Sequence, residues 1–126
     1  MFNWRRPTNL GVKDGRLAPC KRSPNCVSSQ ADPSDAEHSI APLKGSLADV
    51  RKAIEALPRT RIISADANYL YAEFRSKLLG YVDDVEFFSQ GAALHVRSAS
   101  RLGRRDFGVN RARIEQIRKL LGAKRP

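Results

Sequence analysis

Four strand-like segments follow one another between residues 60 and 101 with only turn-sized gaps, and this run constrains the fold more than any other feature. Ile62-Ile63 opens the first, and Asp66-Ala67-Asn68 supplies a turn. Tyr69 to Arg75 alternates between two faces, Leu78-Leu79-Gly80-Tyr81 reads as a connection, and Val82 to Phe88 forms the third. Ser89-Gln90-Gly91 reads as a hairpin turn, with glycine at a position suited to positive φ, and Ala92 to Arg101 forms the fourth. Closely spaced strands with short turns argue for an antiparallel meander.

A helix is expected on either side of that meander. Ser46 opens the first: its hydroxyl is placed to accept from the amide of Asp49, whose carboxylate reaches back, a variant of the capping box. Leu47, Val50, Ile54 and Leu57 then fall at helical spacing, and Pro58 stops the run by pushing Leu57 out of the α region. The second helix is expected to be capped at Asn110, with Val109 and Ile114 as a hydrophobic staple. Ile114, Ile117 and Leu120-Leu121 make its apolar stripe, and Gly122 its stop. Residues 1–45 are punctuated by Pro7, Gly11, Gly15, Pro19, Pro24, Pro33 and Pro42. Leu10, Val12, Leu17, Val27, Ile40 and Leu43 are placed to anchor this stretch on the core. A length of 126 residues suits one domain. The expected fold is therefore α+β, a single domain over 1–126. It combines a four-stranded antiparallel meander, two amphipathic helices on one face and a long irregular N-terminal arm over 1–45.

The net charge of +10 is unevenly spread. Residues 1–22 carry +5, residues 23–96 carry −3, and residues 97–126 carry +8. Such asymmetry bears on polyanionic partners and association rates rather than on fold. No apolar run approaches the roughly 18–20 residues that span a bilayer, so no transmembrane segment is expected. The start, Met1 to Pro7, has no apolar stretch after its basic pair and does not read as a secretory signal. A cytoplasmic location is the default expectation, with periplasmic or membrane-associated placement as alternatives. No P-loop, dinucleotide fingerprint, zinc-protease helix or nucleophile elbow occurs, which disfavours the commonest enzyme classes without excluding an enzyme, and no cofactor is expected.

Cys20 and Cys26 are too widely spaced for a C-x-x-C motif. Three states stay open: two reduced, packed thiols; a disulfide or redox pair in an oxidising compartment; and, least favoured, a metal.

If the meander pairs in simple register, Glu73, Arg75, Asp84, Glu86, His95 and Arg97 share one face. The plain expectation is a solvated charge ladder, each cross-strand pair contributing about 0.2–1 kcal/mol. The alternative is a small enzyme or ligand-binding protein that uses the Arg75/Asp84/Glu86/His95/Arg97 face for acid–base chemistry or recognition. Asp83 and Arg101 extend the candidate ligand or ion-pair set. Neighbours on a strand point to opposite faces, so Asp83 and Asp84 do not converge on one ion and no metal site is expected.

Arg104, Arg105, Arg111 and Arg113 gather around the expected start of the second helix, where free amides and the helix dipole favour an anion. Arginine's planar fork suits bidentate phosphate or carboxylate contacts. The favoured function is a non-enzymatic binding or accessory module presenting this Arg-rich surface to an anionic partner. That partner is a membrane face, a phosphorylated ligand or a protein complex. Nucleic acid is less favoured, because only Phe107 offers a stacking ring in the basic segment.

Three blocks carry a family resemblance. The first is Arg6-Pro7-Thr8-Asn9-Leu10-Gly11-Val12 with Gly15-Arg16-Leu17-Ala18-Pro19-Cys20, and the second Ser23-Pro24-Asn25-Cys26-Val27-Ser28-Ser29-Gln30. The third runs from Ala72-Glu73-Phe74-Arg75-Ser76 through Tyr81-Val82-Asp83-Asp84-Val85-Glu86-Phe87 and Val96-Arg97-Ser98-Ala99-Ser100-Arg101 to Gly108-Val109-Asn110-Arg111. Together they resemble the bacterial and plastid family catalogued as domain of unknown function 1499. The resemblance implies no reaction. It implies hallmark positions at both cysteines, Asn25, Arg75, Asp83, Asp84, Glu86, Arg97, Ser98, Ser100, Arg101, Asn110 and Arg111. Similar proteins often carry an N-terminal export or membrane segment.

Overall fold

The computed structural model describes residues 5–103 and 105–123. Its elements are β1 (Cys26–Ser28), α1 (Leu47–Glu55), β2 (Thr60–Ala65), β3 (Tyr69–Arg75), β4 (Val82–Gln90), β5 (Ala93–Ser100) and α2 (Val109–Ala123). The sheet is antiparallel throughout, in the order β1-β5-β4-β3-β2. The meander is present, but the sheet has five strands rather than four, because the arm contributes β1. Cys26, Val27 and Ser28 pair with Ala99, Ser98 and Arg97, covering an edge of β5 that would otherwise expose unpaired backbone groups. Three residues between Pro24 and Ser29 are too few to show alternation in the sequence.

Local chemistry accounts for the element boundaries. At α1, Ser46 Oγ accepts from Asp49 N at 3.1 Å and Asp49 Oδ2 accepts from Ser46 N at 3.4 Å, completing the capping box. The β4–β5 hairpin is tighter than expected. Gln90 pairs with Ala93, so Ser89 and Gln90 belong to β4 and the turn is Gly91-Ala92, with Gly91 at φ +61°. The start of α2 also differs, since Asn110 lies inside its first turn. Asp106 takes the capping role, its Oδ1 accepting from Gly108 N at 2.9 Å and its Oδ2 from Asn110 N at 3.0 Å. Gly122 stays helical instead of ending the element.

Both helices pack on one face of the sheet. Leu70, Ala72, Phe74, Val85, Phe87, Leu94 and Val96 meet Val50, Ala53 and Ile54 of α1 and Ile114, Ile117 and Leu121 of α2 in a single buried cluster. The arm shares in this cluster: Ile40 and Leu43 belong to it, and Leu43 N donates to Leu94 O at 2.9 Å. Leu17 of the arm is buried as well.

His38 pins one loop of that arm. It is buried, with Nδ1 2.8 Å from Asp35 Oδ2 and Nε2 2.9 Å from the Ser23 carbonyl oxygen. The Ser23 carbonyl raises its pKa most; burial opposes this and Asp35 adds to it, leaving a net rise above 6.5. A histidine with a raised folded pKa contributes stability that is complete below its unfolded value and lost as pH rises through the folded one. Stability followed by urea midpoint is therefore expected to fall as pH rises above about 6.5. His38→Gln should flatten that limb of the profile, and an unchanged slope would rule His38 out as its source.

Candidate functional site

The sheet face away from the helices carries charge, and it is not solvated. Glu73, Asp84, Glu86 and Arg97 are all buried, with Asp84 and Glu86 at 1% and 0% exposure. The expected charge ladder is thus a covered network, because the N-terminal arm lies over it and supplies partners of its own. Alternation and register place the ladder there. Tyr71 pairs with Glu86 and Glu73 with Asp84 across β3–β4, and Glu86 pairs with Arg97 across β4–β5.

Arg101 is the hub of one half. Its Nη2 lies 2.6 Å from Asp84 Oδ1 and 2.8 Å from Glu73 Oε2, and its Nε donates to Asp84 Oδ2 at 3.2 Å. From the arm, Arg6 donates to the same Glu73 oxygen through Nε at 3.0 Å and Nη2 at 2.9 Å. Tyr71 donates its hydroxyl to Asp84 and also to Glu73. Burial pushes the Glu73 carboxyl up, but the hydrogen bonds from Arg101 and Arg6 outweigh it and hold the group below its ordinary value. Desolvation, then the bond to Asp84, pushes the Tyr71 phenol far up, so it remains a donor at any ordinary pH.

The other half is less complete. Glu86 Oε2 accepts from Tyr69 Oη at 2.6 Å and from Gly11 N at 2.7 Å, an approach that the +98° φ of Gly11 permits. Arg97 Nη1 is only within 3.7 Å of Glu86 Oε1, and its Nη2 makes a long 3.4 Å bond to the Pro19 carbonyl. Glu86 Oε1 and Arg97 Nε are buried with no hydrogen-bond partner among the described residues. Burial drives both members towards neutrality, raising the Glu86 pKa and lowering that of Arg97, and their mutual attraction only partly offsets this.

Asp83 points the other way, into the helix side. Burial raises its pKa although Arg113 Nη2 sits 2.7 Å away. The Arg113 guanidinium also stacks 4.9 Å from the Phe74 ring centroid. Asn110, fully buried, joins this side to the arm: it bonds Ser98, Ser100, Asp106, Arg113 and the Asn25 carbonyl.

The sequence-derived sets therefore divide. Asp84, Glu86, Arg97 and Arg101 come together. Arg75 is exposed at the end of β3, and His95 Nδ1 instead meets Ser29 Oγ at 3.0 Å, while burial lowers its pKa. Of the four helix-start arginines, Arg113 faces Asp83 and Arg111 donates to the carbonyls of Ala36 and Glu37. Arg105 is exposed, and Arg104 lies outside the described residues. Asp106 already occupies the first-turn amides. Cys20 and Cys26 form a disulfide with a Cα–Cα distance of 5.6 Å.

Sequence reasoning missed the participation of Arg6 and Gly11, which lie more than sixty residues from their partners. It also missed a group of exposed apolar side chains at one end of the sheet. Leu78, Leu79 and Phe107 are 91%, 67% and 93% exposed, with Tyr81, Leu102 and Val109 partly covered beside them. Tyr81, Leu102, Phe107 and Val109 line one groove of about 520 Å³ together with Arg105. Among the described residues no helix is long and apolar enough to cross a membrane.

The family model described as "Protein of unknown function (DUF1499)" matches residues 16–121. The chain belongs to that family. No curated protein matches it. For this DUF1499 member the match runs from just before the buried Leu17 to the buried Leu121, so it takes in the whole sheet, α1, all but the last two residues of α2 and most of the arm.

Proposed function

We propose that this domain is a non-enzymatic module that seats on an anionic membrane surface through the open end of its sheet. The observation that carries this reading is the exposure of Leu78, Leu79 and Phe107 at one end of the sheet, with Lys77 beside Leu78 in the chain and Arg105 beside Phe107 in one groove. Large apolar side chains gathered in one exposed patch mark interaction surfaces. Lys77 adjoins Leu78, Arg105 shares the groove with Phe107, and Arg59 and Arg75 flank Val109 in the neighbouring groove. Apolar tips ringed by Lys and Arg suit acyl chains beneath acidic head groups, where each surface cation contributes about 1 kcal/mol. The Cys20–Cys26 disulfide supports placing the module in an oxidising compartment rather than a reducing cytosol.

Flotation with phosphatidylcholine vesicles, with and without phosphatidylglycerol, tests this across a salt series. Binding should require the anionic lipid and weaken as salt screens it. Phe107→Ser should weaken it by about tenfold or more, since burying such a side chain is worth about 1.5–3 kcal/mol. Equal binding to neutral vesicles, or none to acidic ones, rejects the proposal. Preference for an oligonucleotide over acidic vesicles would reassign the partner to nucleic acid.

A further inference from the structure

Beneath the arm, the blocks that carry the family resemblance converge on one cavity of about 390 Å³. Pro7, Thr8 and Asn9 come from the first block; Ser23, Asn25 and Cys26 from the second; Asp84, Arg97, Ser100 and Arg101 from the third, with Lys21 at the rim. Its size falls within the range of small-ligand pockets.

The chemistry of the lining is one-sided. Asp84 is the one carboxylate among the described lining residues, and both its oxygens accept from Arg101. Against it stand Arg101, Arg97 and Lys21. The Lys21, Thr8 and Asn9 side chains are exposed and make no hydrogen bond within the described residues, and each brings at least one donor. Arg97 is buried, yet among the described residues only one of its five N–H donors has a partner within hydrogen-bond range, the Pro19 carbonyl at 3.4 Å. Glu86, whose Oε1 lies 3.7 Å from Arg97 Nη1, is not among the lining residues. Native proteins rarely leave a buried guanidinium so poorly satisfied unless something else supplies the acceptor.

We infer that this cavity is a binding site for a small oxyanion, a carboxylate or phosphate group held between the Arg97 guanidinium and the Lys21 ammonium, with Thr8 and Asn9 closing over it from the arm. The site borders the apolar groove, sharing Ser100 and Gly103 with it, but Arg97, Lys21, Thr8 and Asn9 do not line that groove, so the two readings are tested separately.

Isothermal titration of the full chain with inorganic phosphate and with malonate tests it. Saturable binding is expected for at least one, and the pair separates phosphate from carboxylate preference. Lys21→Ala and Asn9→Ala, both at exposed positions, should keep the fold. Lys21→Ala should weaken binding by about tenfold or more, as expected for losing a charged hydrogen bond. Arg97→Met should abolish it, provided circular dichroism shows the variant folded. Phe107→Ser should leave the affinity unchanged, and Lys21→Ala should leave vesicle binding within a factor of a few. No saturable binding of either probe overturns the inference, as does an affinity indifferent to Lys21→Ala.

Discussion

Replacing Arg101 with methionine is expected to destabilise the domain by about 3–5 kcal/mol, the range for removing one partner of a buried ion pair. The side chain is only 8% exposed and faces two carboxylates, Asp84 at 1% and Glu73 at 5%. Methionine fills similar volume and offers no donor, so Asp84 keeps only the Tyr71 hydroxyl and Glu73 keeps Arg6 and Tyr71. The cost arises from carboxylates left buried and not from the contacts themselves, which a second substitution exposes. Adding Asp84→Leu to Arg101→Met removes charge from both sides and should recover much of the loss, since an apolar replacement of a buried pair is often neutral. Urea midpoints of the single and double variants make the comparison. If the double variant is as unstable as the sum of the two singles, Asp84 and Arg101 are not coupled as described.

The same substitution has a signature in acid. Glu73 has a folded pKa below its unfolded value, so it contributes stability that is present above the unfolded pKa and lost as pH falls through the folded one. Taking Arg101 away removes one of the two arginines that hold it low, and the acid limb of the stability profile should flatten.

The elements of this fold were legible wherever the signal was local. The capping box at Ser46 and Asp49, the stop before Pro58 and the alternation of β3 to β5 each depend on residues within a few positions of one another. What sequence could not supply was what covers the polar face. Asp84 and Glu86 alternate with Val85 and Phe87, which is the pattern of a strand with one face in water. The arm reverses that meaning, and its decisive contacts, Arg6 to Glu73 and Gly11 to Glu86, span 67 and 75 residues. Tyr69 and Tyr71 on the same face were the available hint. Their rings need burial while their hydroxyls need acceptors, and a covered carboxylate row supplies both. At α2 a local signal misled: Asn110 is a good cap by type, but the helix starts earlier, with Asp106 accepting from the amides of Gly108 and Asn110, and the Asn110 side chain points inward. The apolar tips at Leu78-Leu79 and Phe107 read as connection and loop, and only the folded end of the sheet brings them together.

The disulfide decides how firmly that cover is held. In the loop-entropy account, a bridge closing the short Cys20–Cys26 loop contributes about 2–2.5 kcal/mol, so Cys20→Ser with Cys26→Ser should lower stability by that amount. The loss should also be local at its onset. Leu17 on one side is anchored by burial and by its N–H to Gln30 Oε1 at 2.8 Å, and Asn25 on the other bonds the Gly103 carbonyl at 2.7 Å. Between these anchors Pro19, Lys21, Arg22 and Pro24 are exposed, and the Ser23 and Pro19 carbonyls bond to His38 and Arg97. Lys21 and Arg22 are exposed there, so trypsin should cut the serine variant at this segment faster than the native chain, ahead of any cleavage within the helices. The Pro19 carbonyl that accepts from Arg97 lies in the same segment, and opening it removes the one hydrogen bond that the buried guanidinium makes among the described residues. Thiol titration of the native protein provides the decisive control. Finding two free thiols would remove the bridge from the account and leave Leu17, Asn25, the β1–β5 pairing and the bonds of Arg6 to Glu73 and Gly11 to Glu86 to hold the arm over the charged face.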